Sequence, residues 1–142
     1  MVERAGAGLA GLGLQSGQVV AVWSTNCVEY WVLCLAVWEL GAVILPVNCL
    51  IQPHILASQV CNTARHPPPL TAARQQIRET GAALLVCDCY NVTEGVRLAN
   101  ELDCLQHVLL VGREDEKGAA RNSNQRISVG YIGSFSGFTT DF

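Results

Sequence analysis

Residues 18–47 read QVVAVWSTNCVEYWVLCLAVWELGAVILPV, and the fold class turns on them. Gln18-Val-Val-Ala-Val-Trp23 is a short, nearly continuous apolar run after a Ser16-Gly17 turn, the pattern of a strand buried on both faces. A helix start follows, because Asn26 can cap and Glu29, three residues on, can reach back to its N–H. From Val28 the apolar positions 28, 31, 32, 35 and 38 keep helical spacing, and the other faces are scarcely more polar. Such a helix is expected to be buried nearly all round. Gly41 supplies its stop. Ala42-Val-Ile-Leu-Pro-Val47 then reads as a second buried strand, with Pro46 near its exit, where a missing N–H is tolerable.

The same alternation continues outward. Gln75 to Thr80 closes a helix at Gly81, and Ala82-Ala-Leu-Leu-Val-Cys87 is a third apolar strand. Thr93 to Leu102 is an amphipathic helix with Val96, Ala99 and Leu102 on one side, and His107-Val-Leu-Leu-Val111 is a fourth strand ended by Gly112. Toward the N-terminus, Ala5 to Leu14 reads as a weak helix, since Gly6, Gly8 and Gly11 each cost roughly 1 kcal/mol relative to alanine. Strands alternating with helices give the α/β class, a parallel sheet flanked by helices. After Gly112 the pattern stops, and residues 113–142 read as an irregular tail.

Composition narrows the function. Half of the 142 residues are hydrophobic, 15% are charged, and nine Lys+Arg against twelve Asp+Glu give a net charge of −3. Mean hydropathy is +0.28. This excludes disorder, and the lack of a basic cluster argues against nucleic acid as a partner. The apolar run Val28–Val47 approaches the length of a membrane span, but Gly41 and Pro46 interrupt it and Glu39 would sit in the bilayer, so no transmembrane segment is expected. Seven cysteines (Cys27, Cys34, Cys49, Cys61, Cys87, Cys89 and Cys104) form no CxxC pair, and several lie in apolar runs, which points to a reducing, intracellular compartment.

Motifs that could carry chemistry fail on context. Gly6-Ala-Gly-Leu-Ala-Gly11 matches GxGxxG, but no strand precedes it. Ser134-Phe-Ser-Gly-Phe-Thr-Thr140 has the small residues of a phosphate loop without its lysine. Cys87-Asp-Cys89 with Cys104 and His107 lacks zinc-ligand spacing. His54, His66 and His107 have no sequence partners that mark them as catalytic. No catalytic, cofactor-binding or metal-ligating residue is expected in the chain.

Leu9-Ala-Gly-Leu-Gly-Leu-Gln-Ser-Gly-Gln-Val-Val-Ala-Val-Trp-Ser-Thr-Asn-Cys-Val-Glu-Tyr30, then Leu35-Ala-Val-Trp-Glu-Leu-Gly-Ala-Val-Ile-Leu-Pro-Val-Asn48, and later Ile77-Arg-Glu-Thr-Gly-Ala-Ala-Leu-Leu-Val86, resemble in order and spacing the N-terminal region of adenylate-forming enzymes. The similarity is to the acyl-CoA synthetase, 4-coumarate–CoA ligase and luciferase branch of this AMP-binding superfamily, with Gln18 standing where the family usually has Asp. The resemblance implies ATP- and Mg²⁺-dependent activation of a small-molecule carboxylic acid to an acyl-adenylate, with loss of pyrophosphate and capture by coenzyme A. Cytoplasm or peroxisome is the compartment it implies, and fatty acid metabolism the setting.

The family's phosphate loop, adenine-binding segment, ribose-binding aspartate and catalytic lysine lie beyond the matched region, so the resemblance assigns no site residue here. It implies an incomplete N-terminal subdomain over residues 1–112, a fragment inactive by itself and prone to self-association through an exposed sheet edge. A non-catalytic α/β interaction module that pairs with a full-length relative is the alternative. In the family the helix after "PVN" runs unbroken into "TGA". Here Val60–Gln76, with Pro67-Pro-Pro69, is surplus and reads as an insertion over residues 60–76, either a genuine loop or a retained intron.

Overall fold

The computed structural model describes residues 1–47, 69–112, 128–133 and 137–139. Its elements are α1 (Val2–Gly11), β1 (Val19–Trp23), α2 (Val28–Glu39), β2 (Val43–Pro46), α3 (Pro69–Thr80), β3 (Leu84–Cys87), α4 (Val92–Glu101), β4 (His107–Gly112), β5 (Ser128–Gly133) and β6 (Gly137–Thr139). They build one sheet in the order β2-β1-β3-β4-β5-β6. The first five strands run parallel, and β6 pairs antiparallel to β5. The α/β class and the parallel sheet flanked by helices are therefore present.

The period-two side-chain alternation sorts each strand between two cores. Val20, Val22, Leu84, Val86, Leu109 and Val111 face one way and pack with Ala5 and Leu9 of α1 and Leu33 and Val37 of α2. Ala21, Trp23, Leu85, Cys87, Val108 and Leu110 face the other way and pack with Ala73 and Ile77 of α3 and Val96 and Ala99 of α4. A sheet covered on both faces explains why β1, β3 and β4 read as continuous apolar runs.

Four expectations need correction. The cap of α2 is Cys27, not Asn26: Cys27 is extended at φ −141° and ψ 175°, and its Sγ accepts a hydrogen bond from the Tyr30 N–H at 3.4 Å. The chain enters the helix one residue later than the Asn–Glu spacing suggests, so the capping box cannot form. The helix is also not buried all round, because one whole face of it is exposed.

β2 is not a buried strand either. It lies at the sheet margin among the described strands, with Val43 50% exposed. The Val43 N–H donates to the Gln18 carbonyl and the Val47 N–H to the Val22 carbonyl, both at 2.8 Å, so odd positions face β1 while Ile44 and Pro46 face outward. Pro46 has no N–H, which leaves Ile44 as the outward backbone donor of β2 and blunts the strand as a template for another.

Finally, part of the stretch read as an irregular tail is strand. β5 pairs along its whole length with β4, in the register Val108↔Val129 and Leu110↔Tyr131, and β6 returns along it. Its glycines hide the strand pattern locally, and pairing with β4 supplies the order. Within the surplus segment, residues 69–76 belong to α3, whose first residue is Pro69, a position where a proline is tolerated. Residues 60–68 lie outside the described residues.

Candidate functional site

From β1 the chain moves through α2 to β2 on one side, then crosses back through α3 to β3 on the other. Connections leaving the neighbouring strands β1 and β3 thus diverge to opposite faces, α2 over one core and α4 over the other. This is the topological switch point of an open parallel sheet, where a crevice opens at the carboxyl ends of the strands. Two loops line it: Ser24-Thr-Asn-Cys27 after β1 and Asp88-Cys-Tyr-Asn91 after β3.

Ser24 and Asp88, in these loops, are the buried polar residues among those described, at 4% and 6% exposure. Asp88 Oδ2 accepts from the Thr25 N–H at 3.0 Å, a contact spanning 63 positions of sequence. Its Oδ1 accepts from the Tyr90 and Asn91 N–H groups at 3.1 Å each and from Asn91 Nδ2 at 2.9 Å. The Asp88 carbonyl takes the Asn91 and Val92 N–H groups at 3.1 and 3.0 Å, which starts the first turn of α4. Ser24 Oγ donates to the Thr25 carbonyl at 3.1 Å. Asp88 therefore latches the two switch-point loops together with donors supplied by its own chain.

That arrangement does not fit a phosphate. The N–H groups an anion would need already converge on a carboxylate, and neither loop contains a Lys or Arg. The nucleotide, its metal and the thiol cofactor implied by the resemblance find no cradle in this crevice, and no chemical step is routed through it.

The remaining sequence candidates are scattered. Cys87 is fully buried, and burial first, then the neighbouring Asp88 charge, pushes its thiol well above the usual range. Burial also raises the Cys27 and Cys34 thiols. Both effects oppose thiolate formation and nucleophilic use. Cys104 lies elsewhere, its Sγ 3.9 Å from the Ile77 carbonyl. His107 begins β4, at the opposite end of the parallel sheet from the crevice. Burial lowers its pKa from the ordinary 6.5, partly offset by its hydrogen bond to the Leu12 carbonyl. Its Nδ1 is buried without a partner. No group of three potential metal ligands occurs among the described residues. Gly6 to Gly11 lies inside α1 rather than in a strand-to-helix turn. His54, His66 and residues 134–136 and 140 lie outside the described residues.

Sequence reasoning missed Asp88. The available signal was an acidic residue directly after a wholly apolar strand and three residues before a helix cap, a place where a carboxylate meets free N–H groups.

Residues 1–130 match the family model described as AMP-binding enzyme. A Humulus lupulus protein named "Probable CoA ligase CCL5" is 36% identical over 55 residues, which are 39% of this chain and 10% of that protein. Among solved structures, the coronafacic acid ligase from Pectobacterium brasiliense superposes with a TM-score of 0.64 at 13% identity, covering 89% of this chain and 21% of that one. The anthranilate CoA ligase AuaEII, solved with anthranoyl-AMP, gives 0.62 at 17% identity over 96% of this chain and 26% of its own. At these identities the two structures show the shared fold. The chain spans a tenth to about a quarter of the length of these relatives. No described helix is long and apolar enough to cross a membrane. With the match running over residues 1–130, this chain belongs to the AMP-binding enzyme family.

Proposed function

We propose that this chain is a scaffold segment of an AMP-forming acid–CoA ligase and does not catalyse the reaction by itself. The family match over residues 1–130 carries the assignment. The overall reaction is activation of a carboxylic acid by ATP, release of pyrophosphate, and transfer of the acyl group to coenzyme A. The sequence pattern favours the branch of acyl-CoA synthetases, 4-coumarate–CoA ligases and luciferases, hence a fatty or aromatic acid. ATP, Mg²⁺, coenzyme A and the acid would be held by segments that this chain does not contain. The latched crevice supports this division: Asp88 uses its carboxylate to hold two loops rather than to meet substrate.

Pyrophosphate exchange into ATP, assayed with a panel of fatty and aromatic acids, tests the reading. The purified chain should show none above background, and acid-dependent exchange would overturn the proposal. A non-catalytic module that pairs with a ligase polypeptide is favoured by one specific observation, the exposed apolar face of α2.

A further inference from the structure

β5 closes the parallel part of the sheet, and its outer margin needs a cover. A sheet margin presents a row of unpaired N–H and C=O groups, and margins that stay open are kept from pairing with other chains by charge, proline or bulges. Residues 127–140, which contain β5 and β6, hold no charged residue and no proline. Val129, Tyr131, Ile132, Phe138 and Thr139 are strand formers. The opposite margin differs, because Pro46 blunts β2.

β6 covers the row. It pairs antiparallel with β5 in the register Tyr131↔Thr139, Ile132↔Phe138 and Gly133↔Gly137, and only residues 134–136 separate the two strands in sequence. At three residues, β6 is itself too short to template much further pairing. β6 also lies against α1, with Cα atoms of the two within 8 Å. α1 needs such contacts, because Gly6, Gly8 and Gly11 make it a poor helix alone. One short strand therefore touches both the last parallel strand and the first helix.

Tethering decides which partner β5 takes. A short connection holds β6 at an effective concentration on the order of millimolar, so a second copy at micromolar concentration competes at a disadvantage of roughly a thousandfold. Once β6 is displaced, the same margin on another copy becomes available. Two copies related by a two-fold axis bring their β5 strands together antiparallel.

We propose that β6 is a strap. It closes the β5 margin and holds α1 to the sheet, and a second copy pairs through β5 only when the strap is opened. The family match stops at residue 130, inside β5, so the inference goes beyond the ligase-segment reading and does not depend on it.

Hydrogen exchange on the whole chain, followed by mass spectrometry, tests the strap. Phe138→Pro with Thr139→Pro opens it, because successive N–H groups of a strand point to opposite sides and one of these two must face β5. In the unsubstituted chain, β5 amides should be protected equally at every protein concentration. In the variant, α1 amides should exchange about tenfold faster. Protection of β5 should fall at low protein concentration and return at high concentration, where light scattering should show a dimer. Phe138→Gly with Thr139→Gly, which keeps both N–H groups, should shift the same readouts in the same direction by less, and serves if the proline variant does not fold. Gly95→Ala, which crowds Cys87 under α4 and leaves the strap alone, should not make β5 protection depend on concentration.

Unchanged α1 exchange in both strap variants overturns the inference, as do variants that never regain β5 protection at high concentration. Concentration-dependent β5 protection in the unsubstituted chain overturns it too. Val28, Trp31, Leu35 and Trp38 form an exposed apolar stripe on α2. A dimer of the strap variants held through that stripe would leave β5 unprotected, and would count against the proposal.

Discussion

Asp88 does at the scale of one residue what no backbone pairing does at the switch point. Four donors converge on its carboxylate from two loops, and the residue is buried. Asp88→Ala leaves the Thr25 and Tyr90 N–H groups short of an acceptor, while the Asn91 N–H keeps the Asp88 carbonyl, and each lost acceptor is a desolvation cost that the native carboxylate offsets. The substitution should destabilise the chain by about 2–4 kcal/mol, measured by urea unfolding. Asp88→Asn, which keeps one oxygen acceptor, should cost less than Asp88→Ala. His107 sets a pH dependence. Its folded pKa lies below the ordinary 6.5 because burial disfavours the imidazolium. The unfolded chain therefore binds the proton first, and His107 contributes its full stability above about pH 6.5 and loses it as pH falls toward the folded pKa. Denaturation midpoints should drop between pH 7 and pH 5.5, and His107→Gln should flatten that slope; an unchanged slope in the variant would refute the assignment.

At the scale of elements, α4 packs tightly on β3 at a glycine. Gly95 sits on the inner side of α4, and a Cβ there would lie 2.5 Å from Cys87 Sγ and 3.4 Å from Leu85 Cδ2. Alanine would ordinarily favour a helix by roughly 1 kcal/mol over glycine, but here the buried Cys87 sulfur must turn to another rotamer or the helix and strand must move apart. Gly95→Ala should therefore destabilise by about 1–2 kcal/mol net. Combining it with Cys87→Ala should recover part of that loss, because the second change removes the clashing atom. Additive costs in the double variant would show that α4 is held off the sheet by something else. Gly41 does a different job: at φ 71° it ends α2 and hands the chain to β2, and a Cβ there would lie 2.7 Å from Ser16 Oγ. Gly95 permits a helix–strand contact and Gly41 a turn against the Ser16 loop, and only the one at the helix end could be recognised from sequence.

For the whole molecule, local pattern reported the elements and distant contact reported their arrangement. The runs Val19–Trp23, Leu84–Cys87 and His107–Gly112 are legible because a strand covered on both faces must be apolar throughout. β5 was not legible, since its order comes from pairing with β4 rather than from its own glycine-interrupted pattern. β2 looked like an interior strand, because an apolar run carries no mark of being at a margin. The Asp88 latch was hidden for the same reason, its partner Thr25 being 63 positions away. By itself the sequence determined the α/β class and the alternation of strand and helix, which follow from short-range periodicity, and it carries the resemblance to the family that the match over residues 1–130 shows. Only the tertiary structure decided that β1 and β3 meet at a switch point closed by Asp88 and that the tryptophan stripe of α2 faces outward. A helix that is apolar on every side says that each side wants a partner; which side has already found one is settled by the elements packed against it.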